Sequence, residues 1–571
     1  MSVVETDVLI VGSGPAGSAA AMLLSTYGVP NIMVTKYSRL ADTPRAHITN
    51  QRTMEVLRDA GLEDVVVAQA TPQHLMGQTP FCSSIAATEE LGRLHTWYTH
   101  PNRQADHDLA SPTAICDMPQ HLMEPVLASA ATARGTHLRY DTEYLSLTQD
   151  DDGVTATVRD RLRGDEYQIR AKYLIGADGG RSRVAEDIGL PTVGRMGVAG
   201  SINVVFEADL SRYVAHRPST LYWVLQTGAD VGGIGMGLVR CVRPWHEWLI
   251  VWGYDIEGEP PDLTEEYARR LAHQLIGDDT VPVTIKSSSA WTVNHLYAER
   301  YHQGRVFCAG DAVHRHPPSN GLGSNTSIQD AYNLAWKLEL VLSGAAGPAL
   351  LDSYSAERAP VGRQIVERAN RSIGETGRIF QALEGGLDAR KLPGEGAEKQ
   401  RQLLREAVAF KDYEFNTHGV ELDQRYVSDA VVPDGTPAPR NPRDAELYHH
   451  ATTWPGAKVP HAWLGRGTER VSTLDVGGRG RFTLLTGVGG EAWAAAAADV
   501  AEELGIELTA ATIGPGADYE DLYGDWAALR EVGDTGAVLL RPDNYVCFRS
   551  PALAADPAEA LRTALRQVLA V

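Results

Sequence analysis

Residues 5–11 (ETDVLIV) run directly into Gly12-Ser13-Gly14-Pro15-Ala16-Gly17, and residues 15–27 (PAGSAAAMLLSTY) follow with no breaker after Gly17. A short apolar run ending in glycine suits a buried parallel strand. The stretch after it suits a helix that Gly28 stops, and Asn31 to Lys36 (NIMVTK) reads as the next strand. The result is a βαβ unit whose glycines have separate tasks. Gly12 permits the tight turn, Gly14 lets a pyrophosphate approach the backbone, and Gly17 allows the helix to pack against the strand. The helix start, with Ser13, Pro15 and Ala16 in the turn, presents N–H groups and a partial positive charge to phosphates. In this context G-x-G-x-x-G points to a dinucleotide; the competing reading is a turn that is merely glycine-rich. One departure stands out. The acid that holds the adenosine ribose roughly 20 residues on is missing, and the second strand ends in Val34-Thr35-Lys36. Thr35 can still hydrogen-bond a ribose hydroxyl, and Lys36 can face a phosphate or the ribose by charge.

The 571 residues allow about three or four domains at roughly 100–200 residues each. Two more stretches of the nucleotide-binding kind occur, AKYLIGADGG around Asp178 and GRVFCAGDA around Asp311. Between them SINVVFEA, LYWVLQT, GIGMGLVR and EWLIVWGYD, over residues 200–254, read as strands of an inserted antiparallel sheet. Residues 385–405 are polar with Gly and Pro and read as a linker or boundary. After the Pro-rich stretch 433–442 a strand, helix, strand, further strands and a closing helix at 556–570 make a small α/β unit. The expected partition is a nucleotide-binding domain over 1–75, 105–195 and 298–385, and a sheet domain over 76–104 and 196–297. A linker or helical segment covers 386–435 and a C-terminal domain 436–571. The fold class is α/β, with a Rossmann-like domain interrupted by an antiparallel sheet.

A formal net charge of -21 argues against nucleic acid and against anionic membrane surfaces as partners. The five cysteines are scattered and odd in number, with no CxxC and no Cys/His ligand spacing, so no metal site or disulfide framework is expected. The first apolar run is too short for a signal peptide, and none approaches the roughly 18 residues of a membrane span. The expectation is a cytoplasmic protein.

The three motifs in this order, continued through Pro317-Pro318, Gly321-Leu322-Gly323-Ser324-Asn325 and QDAYNLAWKL, resemble the class A flavoprotein aromatic hydroxylases, the para-hydroxybenzoate hydroxylase fold. The stretch TKYSRLADTPRAHITNQRTMEVLRDAGL is similar to the phenol hydroxylase and 2,4-dichlorophenol 6-monooxygenase branch, including loss of the ribose acid. The C-terminal unit, with RPDNYVCFR, resembles the thioredoxin-like tail of phenol hydroxylases without its CxxC pair. The resemblance implies bound FAD, transient NAD(P)H and O2, and hydroxylation of a phenolic or hydroxypyridine-like ring through a C4a-hydroperoxyflavin. It also implies a homodimer acting on a small aromatic substrate. The first motif then holds the FAD pyrophosphate, Asp178 lies near FAD and NAD(P)H, and Gly310-Asp311 hold the ribitol. Pro318 and residues 321–325 line the flavin ring, and Arg45 and Gln120 fall at positions that contact the cofactor.

His47 occupies the place where phenol hydroxylases carry an acid facing the substrate hydroxyl. A histidine there can take the phenol's proton near neutral pH; the bland reading is a histidine packed under the flavin. Trp223, Trp248 and Trp291, on or just after the inserted sheet, suit stacking on an aromatic ring, although most residues of this kind are simply core. For Asp178 and Asp311 the competing role is to cap a turn. Other chemistries on the same cofactor are a Baeyer–Villiger oxygenation, an NAD(P)H oxidase or a halogenation. A non-enzymatic nucleotide-binding protein is the alternative from another class.

Overall fold

The computed structural model describes residues 3–226, 237–383 and 388–571. Val3–Val11 forms the first strand, Pro15–Thr26 the first helix and Asn31–Val34 the second strand. Leu9, Ile10, Leu23 and Leu24 are almost fully buried, which explains the apolar run on both elements. The first sheet runs, edge to edge, His302–Gln303, Val306–Cys308, Glu166–Gly176, Val3–Val11, Asn31–Val34 and His137–Arg139. All its neighbours on that path are parallel except the outermost pair. The chain passes from the central strand first to one side and later to the other. The crevice beyond the carboxyl ends of Val3–Val11 and Glu166–Gly176 is therefore a topological switch point, where α/β sheets bind ligands.

The inserted sheet is built from Thr192–Glu207, Leu221–Val224, Gly237–Arg243, Glu247–Tyr254 and Thr284–Ala298, extended by Thr79–Cys82 and Glu90–Leu94 at one edge and His314–Arg315 at the other. The strand expected over 233–240 begins at Gly237; residues 233–236 lie outside the described residues. The sheet is not wholly antiparallel as expected: Leu221–Val224 pairs in parallel with Thr79–Cys82, with Trp223 opposite Phe81. That strand arrives from a distant part of the chain rather than through a hairpin, so nothing forces the antiparallel sense. One face carries Ile202, Val204, Val239, Trp248 and Ile250 against helix Glu265–Ile276. The other faces the first domain and the segment 376–415, whose Phe415 and Ile379 pack with Trp223 and Phe81.

The segment read as a linker or helical segment holds a helix at Glu395–Phe410, where Leu404, Ala407 and Val408 are buried; residues 384–387 lie outside the described residues. The C-terminal unit has the strand order Leu508–Thr512, Phe482–Thr486, Ala537–Leu540, Val546–Ser550, the first pair parallel and the others antiparallel. With helices Glu491–Leu504 and Pro557–Leu569 this is the thioredoxin-like arrangement, and its Cys547 is buried and free. Ion pairs, two of them fully buried, join it to the rest. Arg541 reaches Glu357 at 2.5 and 3.0 Å, Lys458 reaches Glu55 at 2.9 Å, and Arg58 reaches Asp475 at 2.7 Å. Two of these grip helix Gln51–Asp59, which begins four residues after His47 and so fixes where that histidine sits.

Candidate active site

The glycine turn meets the strand Glu166–Gly176 closely. Gly12 has φ +108°, and a Cβ there would lie 2.2 Å from the Ala177 carbonyl oxygen; a Cβ on Gly17 would lie 1.9 Å from the Gly12 oxygen. Gly14 meets nothing within 4 Å, and no side chain caps the helix it begins. The turn is closed against protein at Gly12 and Gly17 and open at Gly14, where free backbone N–H groups start a helix. That shape fits a dinucleotide pyrophosphate. Ser13 is buried, and its carbonyl accepts the Ser18 hydroxyl at 2.8 Å.

Pro15, Ala46, Thr49, Gln120, Ser324 and Asn325 line one small cavity beside this turn, so four distant segments converge there. Asn325 staples them: its amide donates to the Ile48 and Gly321 oxygens at 2.8 and 2.6 Å and accepts from Asn50 N at 3.0 Å. Leu322 is buried beneath the loop, Gly323 opens helix Gly323–Ser343, and Pro318 is exposed on the loop's outer side. Gln120 donates to Glu124 at 2.6 Å. Gly310 donates its N–H to Asp330 at 3.1 Å, a carboxylate also held by His314 at 2.9 Å and Arg358 at 2.8 Å; all three side chains are buried. Asp311 itself is exposed. Asp178 is occupied otherwise. Its carboxylate accepts from the Ser182 hydroxyl and the backbone of Arg183 and Val184 at 2.5, 2.7 and 3.1 Å, capping helix Arg183–Asp187. Thr35 is buried at the strand end, Lys36 is exposed with its ammonium 5.5 Å from the Tyr37 ring, and the Arg45 side chain is exposed.

His47, partly buried, belongs to a group that sequence reasoning did not assemble. Its Nδ1 lies 2.6 Å from Asp117 Oδ2. Arg240 stands 4.0 Å from the other Asp117 oxygen and donates to the carbonyls of Pro44 and Arg45 at 2.6 and 2.8 Å. Backbone hydrogen bonds from Met118 to the His47 oxygen and from Gln120 to the Ala46 oxygen, both 2.7 Å, zip the two segments together. Burial lowers the His47 pKa and Arg240 lowers it further, against the opposing pull of Asp117. The imidazole is therefore neutral at neutral pH. With Nδ1 engaged by Asp117, Nε2 is the nitrogen left to take a proton. Burial likewise brings the Arg240 pKa down to about 10, which still leaves it charged.

Side chains alternate along a strand, so Arg240, between Val239 and Cys241 of the helix-covered face, points to the His47 side. Trp223 shares that side: it is buried against Phe81 and Phe415, with ring centroids 5.2 and 5.9 Å away. Trp291, opposite Ser201 in register, donates to Asn203 at 2.9 Å and lies on the same face. Trp248 does not join them. It is fully buried on the opposite face, its indole N–H bonded to the Ala208 oxygen at 3.0 Å, because its strand parity is the reverse. Asp117 and Arg240 left one signal in the sequence: a charged residue at an inward position of the apolar run LVRCV requires a buried partner.

Residues 5–369 match the FAD binding domain family, and residues 452–570 match the aromatic-ring hydroxylase C-terminal family. The chain belongs to the FAD-dependent aromatic-ring hydroxylases. It is 56% identical, over all of its length and 99% of the relative's, to the 2,4-dichlorophenol 6-monooxygenase of Delftia acidovorans. It is 52% identical to the phenol 2-monooxygenase of Pseudomonas sp. (strain EST1001), covering 98% of this chain and 92% of that one. Among solved structures it resembles the flavin-dependent monooxygenase PieE in complex with FAD and substrate, with TM-score 0.95, 47% identity and 99% of both chains covered. For this family of hydroxylases NAD(P)H and O2 are the co-substrates. Among the described residues no helix is long and apolar enough to cross a membrane.

Proposed function

We propose that this chain hydroxylates a simple or halogenated phenol beside its existing hydroxyl group, with His47 as the base that takes the phenol's proton. The single observation that carries the reading is the His47–Asp117–Arg240 group: a neutral imidazole, oriented by a carboxylate, on the face of the inserted sheet that Trp223 and Trp291 share. The relatives named for 2,4-dichlorophenol and phenol support the substrate class. In this reading the turn Gly12–Gly17 holds the FAD pyrophosphate, with Thr35 and Lys36 at its adenosine end. Gly310 and Asp311 hold the ribitol, and Arg45, Gln120, Pro318 and residues 321–325 border the flavin ring. Asp178 acts only through the helix it caps. Bound FAD, once reduced by NAD(P)H, supplies the activated oxygen that enters the ring.

The protein's share of the chemistry is electrostatic and positional. His47 Nε2 accepts the phenol proton, and the phenolate so formed pushes electron density onto the ring carbons ortho and para to the oxygen. Asp117 steadies the imidazolium that results. The aromatic wall of Trp223, Phe81 and Phe415 excludes water, which keeps activated oxygen from leaking as peroxide. The protein works in this reading as a cytoplasmic homodimer, which sedimentation of the holoenzyme tests. The test of function is NAD(P)H oxidation by the holoenzyme against a panel of phenols and hydroxypyridines, with peroxide followed in parallel. A simple phenol that accelerates oxidation with little peroxide supports the reading. Acceleration by none of the phenols contradicts it.

A further inference from the structure

Glu124 is an acid that the chemistry described so far leaves unused. It lies in helix Gln120–Ala133 and is only 2% exposed. A carboxylate that deep needs partners, and both of its partners are N–H donors. Oε1 accepts from the Gln120 side chain, one turn back, at 2.6 Å, and Oε2 accepts from the backbone N–H of Ala41 at 2.8 Å. Ala41 sits in the loop between Thr35 and His47, so the carboxylate is pinned from outside its own helix and cannot swing. Gln120 inherits that rigidity. It is half-buried and lines the small cavity shared with Pro15, Ser324 and Asn325. A side-chain amide has a donor end and an acceptor end. With Nε2 turned to Glu124, Oε1 is the end left over; it accepts from no described residue and is not sealed inside the protein.

The backbone around the cavity has the opposite character. Helices Pro15–Thr26 and Gly323–Ser343 both begin beside it, and neither start carries a side-chain cap. Their free N–H groups and dipoles offer donors, which suit phosphate oxygens and the lone pairs of sugar hydroxyls. A hydroxyl whose lone pairs meet such donors still has its own hydrogen to place. The cavity lies between the turn that fits the pyrophosphate and the loop read as bordering the flavin ring, and the ribityl chain is the part of FAD that joins those two groups. We infer that Glu124 is a positioning residue for the cofactor: it locks the Gln120 amide with its oxygen towards FAD, to accept from a ribityl hydroxyl. This rests on the reading that Gln120 borders FAD. In Glu124→Gln the Ala41 N–H still needs an acceptor, so the new amide turns its oxygen to Ala41 and its NH2 group to Gln120. Gln120 then rotates to meet that donor with its own oxygen, and shows its NH2 group to the cofactor instead.

The experiment titrates FAD into apoprotein of the full chain, follows binding by quenching of flavin fluorescence, and melts each apoprotein alongside. Glu124→Gln melts as the wild type does yet binds FAD about tenfold more weakly. Gln120→Leu weakens binding by a similar factor, and Gln120→Leu/Glu124→Gln by no more than either alone, because the two side chains act as one unit. The swap Gln120→Glu/Glu124→Gln keeps the net charge and returns an acceptor oxygen to a cavity flanked by two helix starts; it recovers most of the lost affinity. Ala41→Pro removes the pinning N–H from the loop without altering the helix. It weakens FAD in the same direction, and it carries the test if Glu124→Gln fails to fold. Wild-type affinity in Glu124→Gln or in Ala41→Pro overturns the proposal. So does a double variant in which the two losses multiply, or a swap that binds no better than Glu124→Gln. Wild-type affinity in Gln120→Leu removes the Gln120 contact itself, and the role of Glu124 falls with it.

Discussion

Replacing Asp117 with Asn removes one charge from the His47 group and changes almost no volume. The carboxylate lies 2.6 Å from His47 Nδ1 with only 1% of its side chain exposed, so its interaction with an imidazolium is that of a charge-assisted hydrogen bond, worth about 1.5–3 kcal/mol. At about 1.4 kcal/mol per pKa unit, its loss lowers the basicity of His47 by roughly one to two units. Burial and Arg240 already hold that pKa below its ordinary value, and in Asp117→Asn nothing on the opposite side offsets them. At fixed pH the fraction of bound phenol present as phenolate, and with it kcat/KM, falls about 10- to 100-fold. The same substitution leaves the buried Arg240, 4.0 Å from Asp117, without its counter-charge. Loss of one partner of a buried pair costs about 3–5 kcal/mol, so the thermal midpoint falls as well. The assay is a pH series of kcat/KM together with the absorbance of a bound chromogenic phenol, on protein that retains its flavin. A kcat/KM within about twofold of wild type, with an unchanged bound-phenolate fraction, refutes the assignment of Asp117 as the group that supports His47.

Three further outcomes are expected. Gly14→Ala, whose new Cβ meets nothing within 4 Å, keeps the stability of the apoprotein but weakens FAD binding tenfold or more, whereas Gly17→Ala, 1.9 Å from the Gly12 oxygen, fails to fold; apoprotein melting and flavin titration check both. Trp248→Phe costs about 1–3 kcal/mol through lost volume and the orphaned Ala208 carbonyl without changing kcat/KM, while Trp223→Phe changes KM across a phenol series; chemical denaturation and kinetics separate them. Burial, against the hydrogen bond from Tyr98 and the charge of Arg103, raises the Glu421 carboxyl to about 8. Its folded-state pKa lies above the unfolded value of about 4.3, so its contribution is full below that value and is lost as pH rises towards 8. Glu421→Gln therefore flattens the fall in thermal midpoint over that window, and a pH series of melts that keeps the wild-type slope contradicts this.

The nucleotide-binding unit was legible because its signals are local. A strand, three glycines at fixed spacing and a helix start lie in one continuous stretch, and each glycine's task is visible in the close approach of Ala177 or the openness at Gly14. The same holds for the loop ending in Asn325, whose amide joins segments that the motif already placed side by side. The His47 group was only one-third legible. Asp117 reaches His47 through pairing of strands far apart in sequence, Arg240 reaches it by side-chain hydrogen bonds to the Pro44 and Arg45 carbonyls, and no local rule reports either. Strand parity decided the tryptophans: Trp223 and Trp248 sit in equally apolar runs, and only the register of the sheet turns one towards His47 and the other towards helix Glu265–Ile276. For Asp178 the turn-cap role expected as the alternative is the one its three hydrogen bonds show. The attachment of the C-terminal unit through Arg541, Glu357 and Lys337 left no pattern in the sequence, since each is one charge in its own helix or turn.

The most direct test of the central claim is the fate of molecular oxygen. The holoenzyme is supplied with NAD(P)H, oxygen-18 gas and whichever phenol accelerates its oxidation most, and the product is analysed by mass spectrometry and proton NMR. The account predicts one labelled oxygen on the ring carbon next to the original hydroxyl, its yield matching the NAD(P)H consumed. A product without label, label inserted next to a carbonyl, or labelled peroxide as the main product contradicts it.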